Sequence, residues 1–272
     1  SISSAINTNI FFVKLVLKPI TNLANRVYTM PDLIFGVSET YVNRAKVRGT
    51  KCKEFITVYI GSDFEKIKYE NNNDFKTIEK GKNDIWITYV GTLSYSYDID
   101  TAIKAFSELK DFKNLKFIIL GSGPDEERLV HLSKELGVFN ENVFFMGYIK
   151  YSEMFRYLLM SDIALNAITK YARQTITNKF GDYLTAGLPI LNSCQEPEVI
   201  DIINKHELGL NYIPHNVDSL INAIFNIVNS KEKLKLFSLN SKQFASEKFN
   251  RKISYNIIIN KINELIDSNN KF

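Results

Sequence analysis

Residues 169–193 read Thr169-Lys-Tyr-Ala-Arg-Gln-Thr-Ile-Thr-Asn-Lys-Phe-Gly-Asp-Tyr-Leu-Thr-Ala-Gly-Leu-Pro-Ile-Leu-Asn-Ser193. The order is loop, helix, tight turn, strand. Thr177 and Asn178 close a polar approach and are good capping types, which predicts a helix starting there. Phe180, Tyr183 and Leu184 share one face of that helix, and Gly187 stops it. Pro189-Ile-Leu then gives a short buried strand. Lys170 and Arg173 lie upstream, Lys179 lies in the first turn, and Asp182 is one turn further on. Free N–H groups at a helix start, with Lys and Arg nearby, suit a phosphate. A carboxylate slightly deeper suits sugar hydroxyls. An ordinary loop–helix–strand unit with solvated charges fits the same residues, and this stretch alone does not separate the two.

Working outward, strands and helices alternate regularly from residue 85. Apolar runs predict strands at 85–90, 115–120, 143–146, 163–166, 189–192 and 209–212. Amphipathic periods predict helices at 99–110, 125–136, 152–160, 178–186, 198–205 and 217–229. Two more helices follow at 231–247 and 252–267. Continuous apolar strands between amphipathic helices imply a parallel sheet covered on both faces, Rossmann-like and doubly wound. Ligands bind such a sheet at the carboxyl ends of its strands.

Three of those ends carry glycine: Gly91-Thr92, Gly121-Ser-Gly123-Pro, and Gly147-Tyr148-Ile149. None is a Gly-x-Gly-x-x-Gly fingerprint, which disfavours NAD. Each alone is a plain tight turn. Three on one edge, beside the opening stretch, point to a nucleotide-type ligand.

Before residue 85 the pattern is thinner. Residues 10–30 look helical but broken at Pro19. Phe11 and Phe12 beside Lys14 and Lys18 fit a helix packed on a sheet or an interfacial surface; an α/β domain needs the former. A strand at 33–37, a helix from its Ser38 cap to about Val47, and a strand at 55–60 follow. Two strands are too few for a complete domain with its own core. Residues 71–84 are polar and aperiodic and read as a linker. The chain opens on Ser without an initiator Met, so it reads as a fragment or a processed chain.

The 272 residues are 45% hydrophobic and 24% charged, with formal net charge +4. That mild excess does not argue for nucleic acid, and no Lys/Arg run interleaves with aromatics. It permits a weak attraction to an anionic membrane surface. Cys52 and Cys194 form no Cys-x-x-Cys pair and indicate idle thiols in a reducing compartment. His131, His206 and His215 have no metal-ligand spacing. No stretch is long and apolar enough to span a bilayer.

With these motifs in order, the chain resembles the retaining glycosyltransferases of family 4, whose GT-B fold sets two Rossmann domains face to face. The resemblance rests on Tyr89-Val-Gly-Thr-Leu93, Ile119-Leu-Gly-Ser-Gly-Pro124, Phe145-Met-Gly-Tyr-Ile149, Ser161-Asp162-Ile-Ala, and most specifically Asp182-Tyr-Leu-Thr-Ala-Gly-Leu-Pro-Ile190. It implies an α/β, GT-B type chain with one complete Rossmann-like nucleotide-sugar domain plus the C-terminal part of a second. Residues 1–70 are then the end of the acceptor-side domain, 71–84 the linker, 85–250 the donor domain, and 251–272 a helix returning toward the first domain. The front of the first domain, where the family holds most of its acceptor site, is missing, so the fragment alone is expected to be weakly active or inactive.

The implied activity is retaining, metal-independent hexosyl transfer from a nucleotide-diphosphate sugar, without a cofactor, to a glycan or lipid-linked acceptor. Polysaccharide or glycoconjugate biosynthesis would use it, in the cytoplasm or at the inner face of the membrane. Donor contacts fall on Gly91, Thr92, Gly121 and Gly123. The base rests near Gly147, Tyr148 and Ile149, and the sugar on Gln174, Thr175, Ile176, Thr177 and Asn178, with Asp182 at the ribose. Two departures stand out. Thr92 and Tyr97 occupy the positions of the family's diphosphate-holding Arg and Lys, and its two glutamates become Gln174 and Asp182. Lys179, Lys170 or Arg173 are left to supply the cation in a Thr-Asn-Lys-x-x-Asp-Tyr sub-branch. The lost Arg/Lys pair also motivates a non-catalytic nucleotide-binding or scaffold subunit; a GT-B epimerase fits the motifs less well.

Overall fold

The computed structural model describes residues 11–48, 52, 54–63, 78–170, 172 and 176–269. The chain divides into two compact units, residues up to Ile60 together with those from Ser254 onward, and Gly61–Ile253.

The smaller unit starts with helix α1 (Phe11–Tyr28), followed by β1 (Leu33–Gly36), α2 (Glu39–Lys46) and β2 (Glu54–Thr57). Helix α1 does not break at Pro19 but runs through it. An interior proline removes one N–H from the ladder and crowds the carbonyl four residues back, and helix-compatible residues continue on both sides. Val16, Ile20, Leu23 and Val27 are exposed along α1, while the side chains of Phe11, Phe12 and Lys14 lie outside the described ones. Ser38 caps α2 as its sequence implies, its side chain accepting from the Tyr41 N–H. Strands β1 and β2 pair in parallel from Leu33↔Glu54 to Gly36↔Thr57. Strand β2 is shorter than the apolar run to residue 60. The ladder ends with Val58 N–H donating to the Gly36 carbonyl, because β1 turns there into the α2 cap. Beyond Ser254, the last helix ties into this unit through Ser254 Oγ donating to the Tyr59 carbonyl (2.8 Å) and Lys261 pairing with Glu54 (2.9 Å).

The larger unit carries β3 (Ile85–Val90), α3 (Ile99–Glu108), β4 (Leu115–Leu120), α4 (Glu126–Glu135), β5 (Val143–Phe145), α5 (Tyr151–Met160) and β6 (Ile163–Asn166). It continues with α6 (Asn178–Ala186), β7 (Ile190–Asn192), α7 (Pro197–Lys205), β8 (Gly209–Asn211), α8 (Val217–Val228), α9 (Lys231–Lys248) and the start of α10 (Arg251–Asn269). The sheet order is β5-β4-β3-β6-β7-β8, and every pair is parallel. Counted within the unit this is the 3-2-1-4-5-6 winding of doubly wound sheets, whose switch point lies between β3 and β6. The expected α/β fold with a parallel sheet is therefore present.

Side chains alternate across the strands. On one face Ile87, Tyr89, Phe117, Ile119 and Leu165 meet Ile103, Phe106, Leu129 and Ile224 from α3, α4 and α8. On the other, Trp86 stacks on Tyr157 of α5, with ring centroids 6.4 Å apart. Tyr183 of α6 sends its hydroxyl to the β3 and β6 main chain at Val90 and Leu165. Each fully buried large apolar side chain contributes about 1.5–3 kcal/mol, which pins these helices to the sheet. Helix α6 departs from the one-sided face its sequence suggests: Lys179 through Ala186 are all buried. Its end is as expected, with Gly187 left-handed at φ 75° and its N–H capping the last carbonyls.

Candidate functional site

The switch point gathers the three glycine turns. Gly91 N–H donates to the Leu120 carbonyl, and Gly121 N–H to the Gly147 carbonyl. Gly121 sits at φ 147°, and a Cβ there would lie 1.9 Å from the Gly91 carbonyl oxygen. Gly121 is thus required by main chain packing on main chain. Gly91 is different: a Cβ at that position would meet the Lys179 ammonium at 3.4 Å. A pocket of about 260 Å³ opens among Gly91, Thr92, Gly121, Ser122, Tyr148 and Ile149.

Lys179, in the first turn of α6, reaches this edge. It is 8% exposed. Its Nζ lies 3.3 Å from the Tyr89 hydroxyl, 3.7 Å from the centre of the Tyr97 ring and 4.5 Å from that of Tyr89. The Tyr89 hydroxyl donates in turn to the Thr92 carbonyl (2.9 Å), and burial, with the neighbouring Tyr183 and Tyr97, raises its pKa. No carboxylate among the described residues pairs with Lys179. Burial alone pushes the ammonium down to about 7. Two ring faces oppose that push, each cation–π contact being worth about 0.5–2 kcal/mol.

Asp182, three residues on and also 8% exposed, points elsewhere. Its Oδ1 accepts from Ser62 Oγ (2.5 Å) and from the Tyr151 hydroxyl (2.7 Å). Burial raises the pKa of the carboxyl, opposed by those two hydrogen bonds and by the charge of Arg251. Lys179 and Asp182 therefore form no intrahelical ion pair.

The other residues singled out by sequence divide. Thr177 holds the N-cap position in extended backbone, but its side chain makes no capping bond, and its Oγ1 is buried without a partner among the described residues. Ile176 is half-buried and Asn178 exposed. Lys170 is exposed on the loop after β6 and pairs with no described carboxylate. Arg173, Gln174 and Thr175 lie outside the described residues. Gly123, like Gly121, is crowded by main chain, here the Leu93 carbonyl.

Sequence reasoning missed Tyr151, Ser62 and Tyr89 as partners of the two charges, and a second pocket of about 320 Å³ beyond Tyr97. There Asp98 accepts from the His215 N–H (2.7 Å) and Thr101 (2.7 Å), and Arg128 bridges Asp100 and Asp125. Among the described residues no group of His, Cys, Asp and Glu could hold a metal ion, and no helix is long and apolar enough to cross a membrane.

A buried cation without a carboxylate, beside a helix N-terminus and an open glycine turn, can receive a phosphate. A neighbouring carboxylate can receive hydroxyls. Comparison with known proteins gives the family and the fold. The family model for group 1 glycosyl transferases matches residues 70–244. An uncharacterized glycosyltransferase of Methanocaldococcus jannaschii, MJ1069, is 25% identical over 84% of this chain and 57% of its own length. The alpha-monoglucosyldiacylglycerol synthase of Acholeplasma laidlawii is 28% identical over 70% of this chain and 46% of its own. The chain thus spans about half the length of these curated relatives. Among solved structures, Anabaena Alr3699/HepE in complex with UDP superposes with TM-score 0.74 at 16% identity, over 93% of this chain and 69% of that one. That likeness bears on fold, and the fold is the GT-B type that the motifs imply.

Proposed function

With the chain a member of the group 1 glycosyl transferases, we propose that it binds the nucleoside diphosphate of a nucleotide-sugar donor at the carboxyl edge of its six-stranded sheet. There it serves retaining sugar transfer to a glycan or lipid-linked acceptor in polysaccharide or glycoconjugate biosynthesis, on the cytoplasmic side of a membrane. The observation that carries this reading is Lys179, a cation 8% exposed, unpaired with any described carboxylate and next to Gly91. Burying such a charge is costly unless something anionic completes it. A diphosphate does so and, being close and negative, restores the proton to the ammonium.

In the transfer, the bond from the sugar's anomeric carbon to the diphosphate breaks, and negative charge grows on the leaving oxygen. Lys179 and the free N–H groups opening α6 are placed to take up that charge. The Tyr89 and Tyr97 rings keep water from the ammonium, so its field on the leaving group is weakly screened. The base occupies the pocket by Tyr148 and Ile149, and Asp182 takes ribose hydroxyls. HepE is described with UDP, which makes UDP the first diphosphate to try. The Acholeplasma relative is named for a glucosylated lipid, which favours a lipid-linked acceptor.

A scaffold role is the second reading, motivated by Thr92 and Tyr97. The Lys179 Nζ 3.7 Å above the Tyr97 ring argues against it, because a cation remains beside the position where one was lost. Calorimetric titration with nucleosides and their diphosphates, in EDTA, tests the site. Lys179→Ala should weaken the diphosphate by about 1.5–3 kcal/mol, the value of a hydrogen bond to a charged group, and leave the nucleoside unchanged. Asp182→Ala should weaken both. If Lys170→Ala or Arg173→Ala carries the diphosphate effect instead, Lys179 is the wrong cation. Donor hydrolysis then separates enzyme from scaffold.

A further inference from the structure

We propose that Tyr151 and Ser62 are positioning residues that split the work of the Asp182 carboxylate, both hydroxyls holding Oδ1 so that Oδ2 alone is presented to the ribose of the donor. The proposal rests on the donor-site reading above and names residues that reading does not use.

Both hydroxyl donors go to the same oxygen, at 2.5 Å from Ser62 and 2.7 Å from Tyr151. A carboxylate oxygen has two lone-pair positions, so Oδ1 is filled. Among the described residues no donor reaches Oδ2, and Asp182 is not fully enclosed. A carboxylate free to rotate can chelate a vicinal diol through both oxygens. This one cannot, because rotation would break two charge-assisted bonds.

Both donors are themselves anchored. Ser62 N–H donates to the Phe249 carbonyl (2.9 Å), Ser62 bridges Asn250, and Arg251 Nε donates to the Gly61 carbonyl (2.9 Å). Tyr151 is the first residue of α5, two positions after Ile149, so its ring ties the turn proposed for the base to α6. Lys179 lies three residues before Asp182, about 4.5 Å along the helix axis. A nucleotide with its base at Ile149 and its diphosphate at Lys179 has its ribose between them, beside Asp182. Tyr151 is 45% exposed, so its hydroxyl can be removed without opening the core.

The test uses the whole 272-residue chain. UDP, GDP, ADP and CDP are titrated by calorimetry, and the tightest is compared with its 2′,3′-dideoxy counterpart. The wild-type chain should prefer the ribose form by about tenfold or more, as expected for a hydroxyl donating to a carboxylate. Asp182→Asn should reduce that preference strongly. Tyr151→Phe and Ser62→Ala should each lower it about threefold or more, with dideoxy affinity unchanged, since each removes one anchor of Oδ1. If Asp182→Asn removes the preference while Tyr151→Phe and Ser62→Ala leave it intact, the positioning role is wrong. If those two variants weaken both compounds equally, their role is packing and the proposal also fails. Absence of any preference in the wild-type chain, or of binding by all four diphosphates, overturns the donor-site reading itself.

Discussion

Replacing Lys179 by Met tests whether the site holds a buried, unpaired cation. Methionine keeps an unbranched apolar stem of similar length and deletes the charge. In the folded chain burial pushes the ammonium from 10.5 to about 7. Between those values the unfolded chain holds a proton that the folded chain has shed. Wild-type stability should therefore rise with pH across the window and fall as pH drops through about 7. The limiting slope is about 1.4 kcal/mol per pH unit, and about 3.5 units would give 4–5 kcal/mol. The Tyr89 and Tyr97 ring faces stabilise the ammonium, and at about 1 kcal/mol for each cation–π contact the net amplitude should be about 2–3 kcal/mol. Trp86 is the chain's single tryptophan and is fully buried in the larger unit, so its fluorescence reports urea unfolding of that unit. Lys179→Met should be more stable than wild type at pH 6.5, and the gap should close toward pH 9.5. Packing changes caused by the substitution do not depend on pH, so the slope of the difference isolates the charge. A difference that stays flat over this range refutes the buried-cation reasoning.

Three other outcomes follow from the geometry. Nucleoside diphosphate affinity should be the same in EDTA and in millimolar Mg²⁺ if Lys179 and the α6 N–H groups receive the charge as proposed; a strict Mg²⁺ requirement in the titration would count against the site. Gly121→Ala should destabilise the larger unit by about 3 kcal/mol or more, since its Cβ would sit 1.9 Å from the Gly91 carbonyl oxygen at φ 147°; urea melts at wild-type stability would refute that. Asp162→Ala should cost about 1.5–3 kcal/mol in the same melts, because the carboxylate accepts from both Lys80 Nζ (2.6 Å) and the Trp86 N–H (2.7 Å); loss of less than half a kcal/mol would show the pair to be solvated.

The sheet was legible because its signal is local and repeated. Six apolar runs separated by amphipathic segments leave a parallel, two-faced sheet as the consistent arrangement, and the observed strands follow them to within a residue or two. Where local pattern misled, a neighbour decided. Strand β2 stops at Thr57 because β1 ends opposite it, and no property of residues 58–60 announces that. Proline at 19 is a strong local signal for a break, costing about 3 kcal/mol in a helix interior, yet the helix runs through it. Thr177 is a good capping type in a capping position whose hydroxyl finds no N–H. The glycines at 121 and 123 carry a second requirement that no local pattern announces, since a Cβ at either would meet the main chain of Gly91 or Leu93.

The site shows the same division more sharply. Lys179 and Asp182 could be picked out because both lie on one predicted helix, and their spacing of three made an exposed ion pair the natural competitor. Only the sheet edge decides between them, since it sends the ammonium toward β3 and the carboxylate toward Tyr151 and Ser62. Ser62 lies 120 residues from Asp182 in sequence, so no spacing rule could have joined them. Compared position by position, Tyr97 looks like the loss of a phosphate-binding cation. In the fold it forms one wall around a cation contributed by another element. In the proposed donor site, an ammonium delivered from α6 rather than from the β3 turn would act through its field, which depends on where the charge stands and how dry it is, not on which strand or helix bears it. A substitution at Tyr97 would therefore alter the environment of Lys179, and the two positions must be judged together.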